Sequence, residues 1–514
     1  MSKGLLKSSV SVSAMTFLSR ILGFVRDVII ARIFGASLVA DAFFVAFKIP
    51  NFLRRLFAEG AFSLAFVPVF SEYKTQREEA DVKRLADGVA ASLGLILLVV
   101  TVIGVIAAPV LVTIFAPGFI GNEGKFELAV DMLRITFPYI FFISLTAFAG
   151  SILNSYGRFA IPAFTPVLLN ISLIFAAIVL APHFDRPIMA LAWGVFIAGA
   201  AQLLFQLPFL AQIRMLPRPR RGADAEGVSR IKKMMLPALF GSSVAQINLL
   251  LDTLIASFLV TGSISWLYYS DRLVEFPLGV FGVALATVIL PRLSQQHTLA
   301  SPQQFSQTLD WALRWVVIIA LPSTMGLMLL AEPMLVTLFQ YGAFNEHDVT
   351  MAGRSLLAYS LGLGAFIMIK ILAAGFYSRH DMKTPVKIAV ITMAVNMVMN
   401  IILVFPLAHA GLALATSLSA WLNAGWLLYL LRRDGIYQSR SGWQWLLLRT
   451  FMATLSMAVV LFFLVPALSD WVGKLWYERG IALSLWLLLG AGVYLASLFL
   501  FGLRWRHVSN ETLH

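Results

Sequence analysis

Residues 88–108 read GVAASLGLILLVVTVIGVIAA, a run of 21 residues without a charged side chain. A transmembrane helix needs about 20 mostly apolar residues to cross a bilayer. The rest of the chain has the same character: 59% of its 514 residues are hydrophobic and 13% are charged, whereas about 25% of the residues of a soluble protein are charged. The composition predicts an all-α polytopic membrane protein and excludes a large catalytic domain outside the membrane.

Fourteen apolar windows, bounded by charged residues or by Pro and Gly, are the predicted transmembrane helices. Lys and Arg are concentrated in the loops on one side, above all at 214–233, and the positive-inside rule assigns that side to the cytoplasm. Both termini are therefore expected to be cytoplasmic, and the net charge of +13 needs no nucleic-acid partner. The windows lie at 10–34, 41–70, 88–116, 128–154, 162–182, 187–212, 234–260, 266–292, 309–340, 350–376, 385–407, 411–432, 443–466 and 481–503.

An internal repeat predicts how these helices are grouped. The octapeptide APVLVTIF at 108–115 returns as EPMLVTLF at 332–339, and the basic segment divides the first twelve windows into two sets of six. Two pseudo-symmetric six-helix bundles around a central cavity are therefore expected. The predicted domains are an N-terminal bundle at 1–213, a basic cytoplasmic linker at 214–233, a C-terminal bundle at 234–433 and two additional helices at 434–514.

Charged side chains inside the predicted helices are concentrated in windows 1, 2 and 8. A charge at bilayer depth is costly and usually faces a cavity or an opposite charge. Cations outnumber carboxylates in this set, and guanidinium is suited to bidentate phosphate binding, so the set predicts a cavity for an anion. The alternative is that the charges only pair with one another, and for Asp41 and Glu59 we expect pairing that orients arginines. The set is Arg20, Arg26, Asp27, Asp41, Lys48, Arg54, Arg55, Glu59, Asp271, Arg272 and Glu275.

A second polar cluster carries oxygen atoms without a nearby cation. Asn396 and Asn400 lie one helical turn apart in window 11, Asp252 lies in window 7 and Thr416 lies in window 12. Such a set suits Na⁺, and Asp252 alone could carry a proton. Interhelical hydrogen bonds are the structural alternative.

Three long motifs resemble signatures of the MurJ (MviN) lipid II flippases: SRILGFVRD at 19–27, DAFFVAFKIPNFLRRLFAEGAF at 41–62 and YYSDRLVEFP at 268–277. The resemblance covers nearly the whole chain. It implies the fold of the multidrug/oligosaccharidyl-lipid/polysaccharide (MOP) exporters and a function in the bacterial inner membrane. That function is movement of lipid II, the undecaprenyl-diphosphate-linked peptidoglycan precursor, from the inner to the outer leaflet by alternating access.

The resemblance also implies roles for particular residues. The family's functional cations match Arg20, Arg26, Arg54 and Arg272, with Asp41 also matching. Its sodium site matches Asn396, Asn400 and Thr416, although an Asp is expected at position 400. Windows 13 and 14 resemble the wall of a groove for the polyprenyl tail.

The implied partners are lipid II, membrane lipids and peptidoglycan synthesis enzymes, and we expect a monomer with no cofactor other than Na⁺ as a coupling ion. No nucleotide-binding or zinc-protease motif occurs in the sequence, so a transporter is predicted rather than an enzyme. The alternative is a cation-coupled exporter of drugs or of another polyprenyl-linked saccharide. A drug exporter would show a carboxylate-rich cavity, and a membrane enzyme acting on polyprenyl diphosphates would need clustered Asp for Mg²⁺.

Overall fold

The computed structural model describes residues 3–56, 62–220, 222–299 and 301–503, without the side chains at 3–10, 123 and 236–249. Helices account for most of these ranges, and none of the described residues lies in a β-strand. The prediction of an all-α polytopic protein is therefore confirmed. By contacts between Cα atoms the chain divides into two compact units, Met1–Ser265 and Trp266–His514.

The first unit contains ten α-helices within the described residues, and α7, α8 and α9 form its central packing together with α1. Phe62 and Phe66 stack, and Phe148 packs edge-on against both rings in a buried hydrophobic cluster. The helices are α1 (Lys3–Phe34), α2 (Leu38–Arg54), α3 (Ser63–Gln76), α4 (Glu79–Ile106), α5 (Ala108–Phe115), α6 (Glu123–Thr136), α7 (Tyr139–Ser155), α8 (Ala160–Phe175), α9 (Met189–Gln212) and α10 (Ala225–Ala256).

The basic segment before α10 is held against α4. Asp87 is buried, and its carboxylate accepts the backbone N–H of Arg218 at 2.7 Å while its carbonyl accepts that of Arg220 at 3.3 Å. Beyond this segment, α10 packs against α3 and α4 and so belongs to the first compact unit. The packing of the helices therefore divides the chain at a different place from the sequence repeat. The domain boundaries drawn from the repeat stay predictions.

The second unit is built around α18, which packs against α15, α16 and α17. The last long helices, α19 and α21, pack against each other and against α13, where the Tyr494 hydroxyl donates to the Ile318 carbonyl at 2.6 Å. The helices are α11 (Ser263–Pro277), which begins at the end of the first unit, α12 (Val283–Thr298), α13 (Pro302–Leu329), α14 (Ala331–Phe339), α15 (Glu346–Ser360), α16 (Leu363–Tyr377), α17 (Lys383–Leu407), α18 (His409–Arg433), α19 (Trp443–Leu464), α20 (Leu468–Val472) and α21 (Trp476–Leu500).

Ten helical segments of the described residues are long and apolar enough to cross a membrane, and the bent pair of α15 and α16 makes an eleventh. Many large apolar side chains on these helices are exposed at the protein surface, as expected of a surface that contacts lipid; Phe405 is 85% exposed and Phe463 is 76% exposed. Three predicted windows are not among the eleven: window 1 lies in α1, window 2 covers α2 and α3, and window 7 lies in α10. Charges interrupt α1, and α2 has only 17 residues. The count of fourteen spans stays a prediction.

Candidate functional site

The first cations of the predicted set lie on α1, and they occupy different environments. Arg20 is exposed, whereas Arg26 and Asp27 are buried. The guanidinium of Arg26 donates to Asp27 Oδ1 at 2.6 and 2.9 Å and to Asn170 Oδ1 on α8 at 3.0 Å. Asn170 in turn donates to the Ser19 carbonyl at 2.9 Å. Arg26 is therefore held in one orientation by a carboxylate and an amide, while Arg20 projects from the same helix.

The cations of α2 lie towards its C-terminal end, with Lys48 just before the proline at position 50 and Arg54 after it. Lys48 donates to the Thr253 hydroxyl of α10, and Arg54 donates through Nε to Asn51 Oδ1 at 2.9 Å. Lys48, Arg54 and Arg55 are all half-buried. A proline inside a helix removes one backbone hydrogen bond, which locally weakens the helix next to these cations. Glu59 lies outside the described residues.

Asp41 has a different partner from the one predicted. It lies in the first turn of α2, is 1% exposed, and forms an ion pair with Lys125 at 2.9 Å. It also accepts the backbone N–H groups of Gly262 and Ser265 at 2.8 and 3.0 Å and the Ser265 hydroxyl at 2.6 Å. The expectation that Asp41 orients an arginine was wrong, because Arg54 is 13 residues further along the helix, about 20 Å away at 1.5 Å per residue.

In the second unit, Arg272 of α11 is half-buried. Its guanidinium donates to Glu275 Oε2 at 2.7 Å and to the Tyr268 hydroxyl at 3.1 Å, and it lies 5.0 Å from the centre of the Tyr268 ring. Glu275 is exposed and Asp271 is half-buried. The YYSDRLVEF motif therefore presents one arginine that is oriented by side chains one turn away on its own helix.

Among the predicted sodium ligands of the second unit, Asn396 and Asn400 are buried and linked, and Thr416 is half-buried. Asn400 donates to Asn396 Oδ1 at 3.1 Å, and Asn396 donates to the Ser419 hydroxyl of α18 at 3.2 Å. The Thr416 hydroxyl donates to the Leu412 carbonyl at 3.0 Å. The bond from Asn396 to Ser419 joins two helices, as expected under the structural alternative, whereas the other two lie within α17 and within α18. The amide and hydroxyl oxygens also fit a hard cation such as Na⁺. Asp252 is half-buried on α10 of the first unit.

The sequence analysis missed two functional candidates. Lys125 lies between windows 3 and 4 of the sequence, and only the fold shows that it is buried against Asp41. Lys370 is exposed within α16, and it is the single cation in the run LGAFIMIKILAAGFY. A cation in the middle of the apolar run of α16 was a usable signal for Lys370, whereas no local pattern marked Lys125.

The whole chain is similar to proteins from other bacteria. Residues 30–477 match the family model described as lipid II flippase MurJ. The chain is 47% identical over 518 residues to the probable lipid II flippase MurJ of Vibrio cholerae, which covers 99% of both chains. The chain belongs to the MurJ lipid II flippase family. It is also 44% identical to the lipid II flippase MurJ of Burkholderia cenocepacia, covering 98% of this chain and 97% of the relative.

Solved structures place the MurJ family fold in a wider group. A lipid II flippase MurJ in an inward closed conformation matches with a TM-score of 0.81 at 28% identity, covering 96% of this chain and 98% of that one. An inward-facing multidrug resistance MATE family transporter of the MOP superfamily matches with a TM-score of 0.68 at 14% identity, covering 83% and 98%. The second likeness shows the fold alone. The predicted MurJ resemblance and the MOP fold are both confirmed.

Proposed function

We propose that this MurJ-family protein flips lipid II from the inner to the outer leaflet of the bacterial inner membrane by alternating access. The observation that carries the proposal is the 47% identity, over 99% of both chains, to a probable lipid II flippase. The protein is a transporter and not an enzyme, and its partners are lipid II and membrane lipids. A cation-coupled drug exporter is not favoured, because the charges within the helices have a surplus of cations.

The diphosphate of lipid II is the group that these cations recognise. Arg20, Arg26, Arg54 and Arg272 are the proposed binding residues, and three of them are oriented by neighbouring side chains. An arginine held in place before its ligand arrives loses less conformational freedom on binding, and its planar guanidinium matches phosphate oxygens in pairs. Asp27, Asn51 and Glu275 therefore act as positioning residues for the arginines.

The polyprenyl tail requires a different surface, because it stays in hydrocarbon while the headgroup crosses. We assign this role to α19 and α21, which pack on α13 and expose large apolar side chains such as Phe463. In this proposal an apolar groove binds the tail and the arginines bind the diphosphate. We further propose that the protein acts as a monomer, with both termini in the cytoplasm and peptidoglycan synthesis enzymes as partners.

The driving force comes from charge movement. An inside-negative membrane potential favours outward transfer of an anionic headgroup by about 2.3 kcal/mol per charge per 100 mV. Asn396, Asn400 and Thr416 would hold Na⁺ as a coupling ion, with Asp252 as the predicted fourth ligand. Na⁺ would bind one conformation of the protein more tightly than the other, and this difference in binding free energy would shift the equilibrium between the two conformations.

Complementation tests the proposed function. The native lipid II flippase of a Gram-negative host is depleted while this gene is expressed, and growth and cell shape are followed. Restored growth is the expected result. A protein that reaches the membrane in normal amount but leaves the cells to lyse would refute the proposal, and a variant with Arg20, Arg26, Arg54 and Arg272 all replaced by Ala is the matched negative control.

A further inference from the structure

A groove in the first unit lies apart from the arginines and from the asparagine cluster. It has a volume of about 680 Å³, including its open side, and it is lined by side chains of α4, α7 and α10. On α4 the lining extends from Val89 to Val100, which is about 16 Å of helix at 1.5 Å per residue. The elongated shape suits a chain.

The lining is apolar apart from three side chains. Leu93, Leu97 and Ile140 are among the aliphatic residues along its length, and Ile96 is 47% exposed at its open side. Since α4 is apolar enough to cross the membrane, this opening faces hydrocarbon and not water. An empty groove would lose the dispersion contacts of its walls, so a chain from the surrounding lipid is the natural filling.

The polar lining residues point to an occupant with a headgroup. Lys232 lines the groove and is exposed, near the end of α10 that follows the basic segment. Ser144 also lines the groove; it is 3% exposed, and its hydroxyl has no hydrogen-bond partner among the described residues. That oxygen is buried out of reach of a ligand in the groove, so the headgroup contact falls to Lys232.

We propose that this groove binds an anionic glycerophospholipid. One acyl chain lies along α4 between α7 and α10, and Lys232 pairs with the phosphate. None of its lining residues belongs to the arginine set. Its effect is to bridge α10 to α4 and α7 and so to stabilise the first unit.

Native mass spectrometry of the full-length protein in detergent tests the proposal. Phosphatidylglycerol is compared with diacylglycerol of the same acyl chains, so that the two probes differ in the phosphate headgroup. We expect retention of phosphatidylglycerol to exceed that of diacylglycerol by about fivefold, the contribution of one lysine near a phosphate. The Lys232→Gln variant should lose this preference, whereas Lys233→Gln, which changes the adjacent exposed lysine outside the lining, should keep it.

Three outcomes would overturn the proposal. Equal retention of both lipids by the unmodified protein would show that the phosphate headgroup does not contribute to binding. Equal loss in Lys232→Gln and Lys233→Gln would show only general attraction to a basic surface. Displacement of phosphatidylglycerol by a polyprenol, with no effect of an equal concentration of diacylglycerol, would assign the groove to an isoprenoid chain instead.

Discussion

Replacing Asp41 with Ala should destabilise the protein far more than removing an ion pair at its surface. Asp41 and Lys125 have side chains that are 1% and 5% exposed, so the substitution leaves a buried ammonium without its counter-charge. Removing one partner of a buried pair costs about 3 to 5 kcal/mol. The backbone N–H groups of Gly262 and Ser265 lose their acceptor as well. We therefore expect a loss of at least about 3 kcal/mol in the free energy of unfolding.

The assay is unfolding of the purified protein in mixed micelles with increasing SDS, followed by tryptophan fluorescence. Glu72→Ala is the matched control, because Glu72 binds Arg230 through two bonds of 2.7 and 2.9 Å on an exposed surface. Exposed pairs contribute at most about 1 kcal/mol. The double variant Asp41→Asn with Lys125→Met should recover most of the loss, because no uncompensated charge remains. Equal effects of Asp41→Ala and Glu72→Ala, or no recovery in the double variant, would refute the reasoning.

Three further predictions concern transport, ion binding and pH. Arg26→Ala should abolish complementation and Arg26→Lys should restore it poorly, because an ammonium cannot reproduce the guanidinium fork; full growth with Arg26→Ala, measured at equal expression, would contradict the diphosphate assignment. Asn400→Asp should raise the affinity for Na⁺ about tenfold, since a charged ligand binds the ion more tightly. The affinity is measured from thermal unfolding in Na⁺ compared with K⁺. Unfolding that does not depend on Na⁺ in either protein would argue against a sodium site. Burial raises the pKa of Asp381, but hydrogen bonds from Thr384 and the backbone of Lys383, together with the charge of Arg379, outweigh it and leave the pKa below its ordinary value of 3.8. The stability that Asp381 contributes is therefore present above pH 3.8 and is lost as the pH falls through the lowered pKa of the folded protein. Unfolding compared with Asp381→Asn should show a difference that shrinks in acid, and a constant difference would contradict this reasoning.

Several features of the protein can be predicted from short stretches of sequence. Apolar windows such as 88–116 predict membrane helices, because the requirement for about 20 apolar residues is met or failed within one segment. The unusual cations were identified in the same way, because a charge inside an apolar window is conspicuous wherever the helix packs. The long motifs at 19–27, 41–62 and 268–277 were sufficient to predict the family. None of these inferences needed a contact between distant residues.

The partners of the charged side chains depended on folding. Arg26 meets Asn170 across 144 positions of sequence, and Asp41 meets Lys125 across 84 positions. Such pairs leave no local pattern, because they arise only when helices pack side by side. The same reason explains why Asp41, expected to orient an arginine, instead binds a lysine and the backbone at the start of α11. Residue types and their depth in a helix follow from the chain itself, whereas the assignment of each charge to a partner follows from which helices become neighbours.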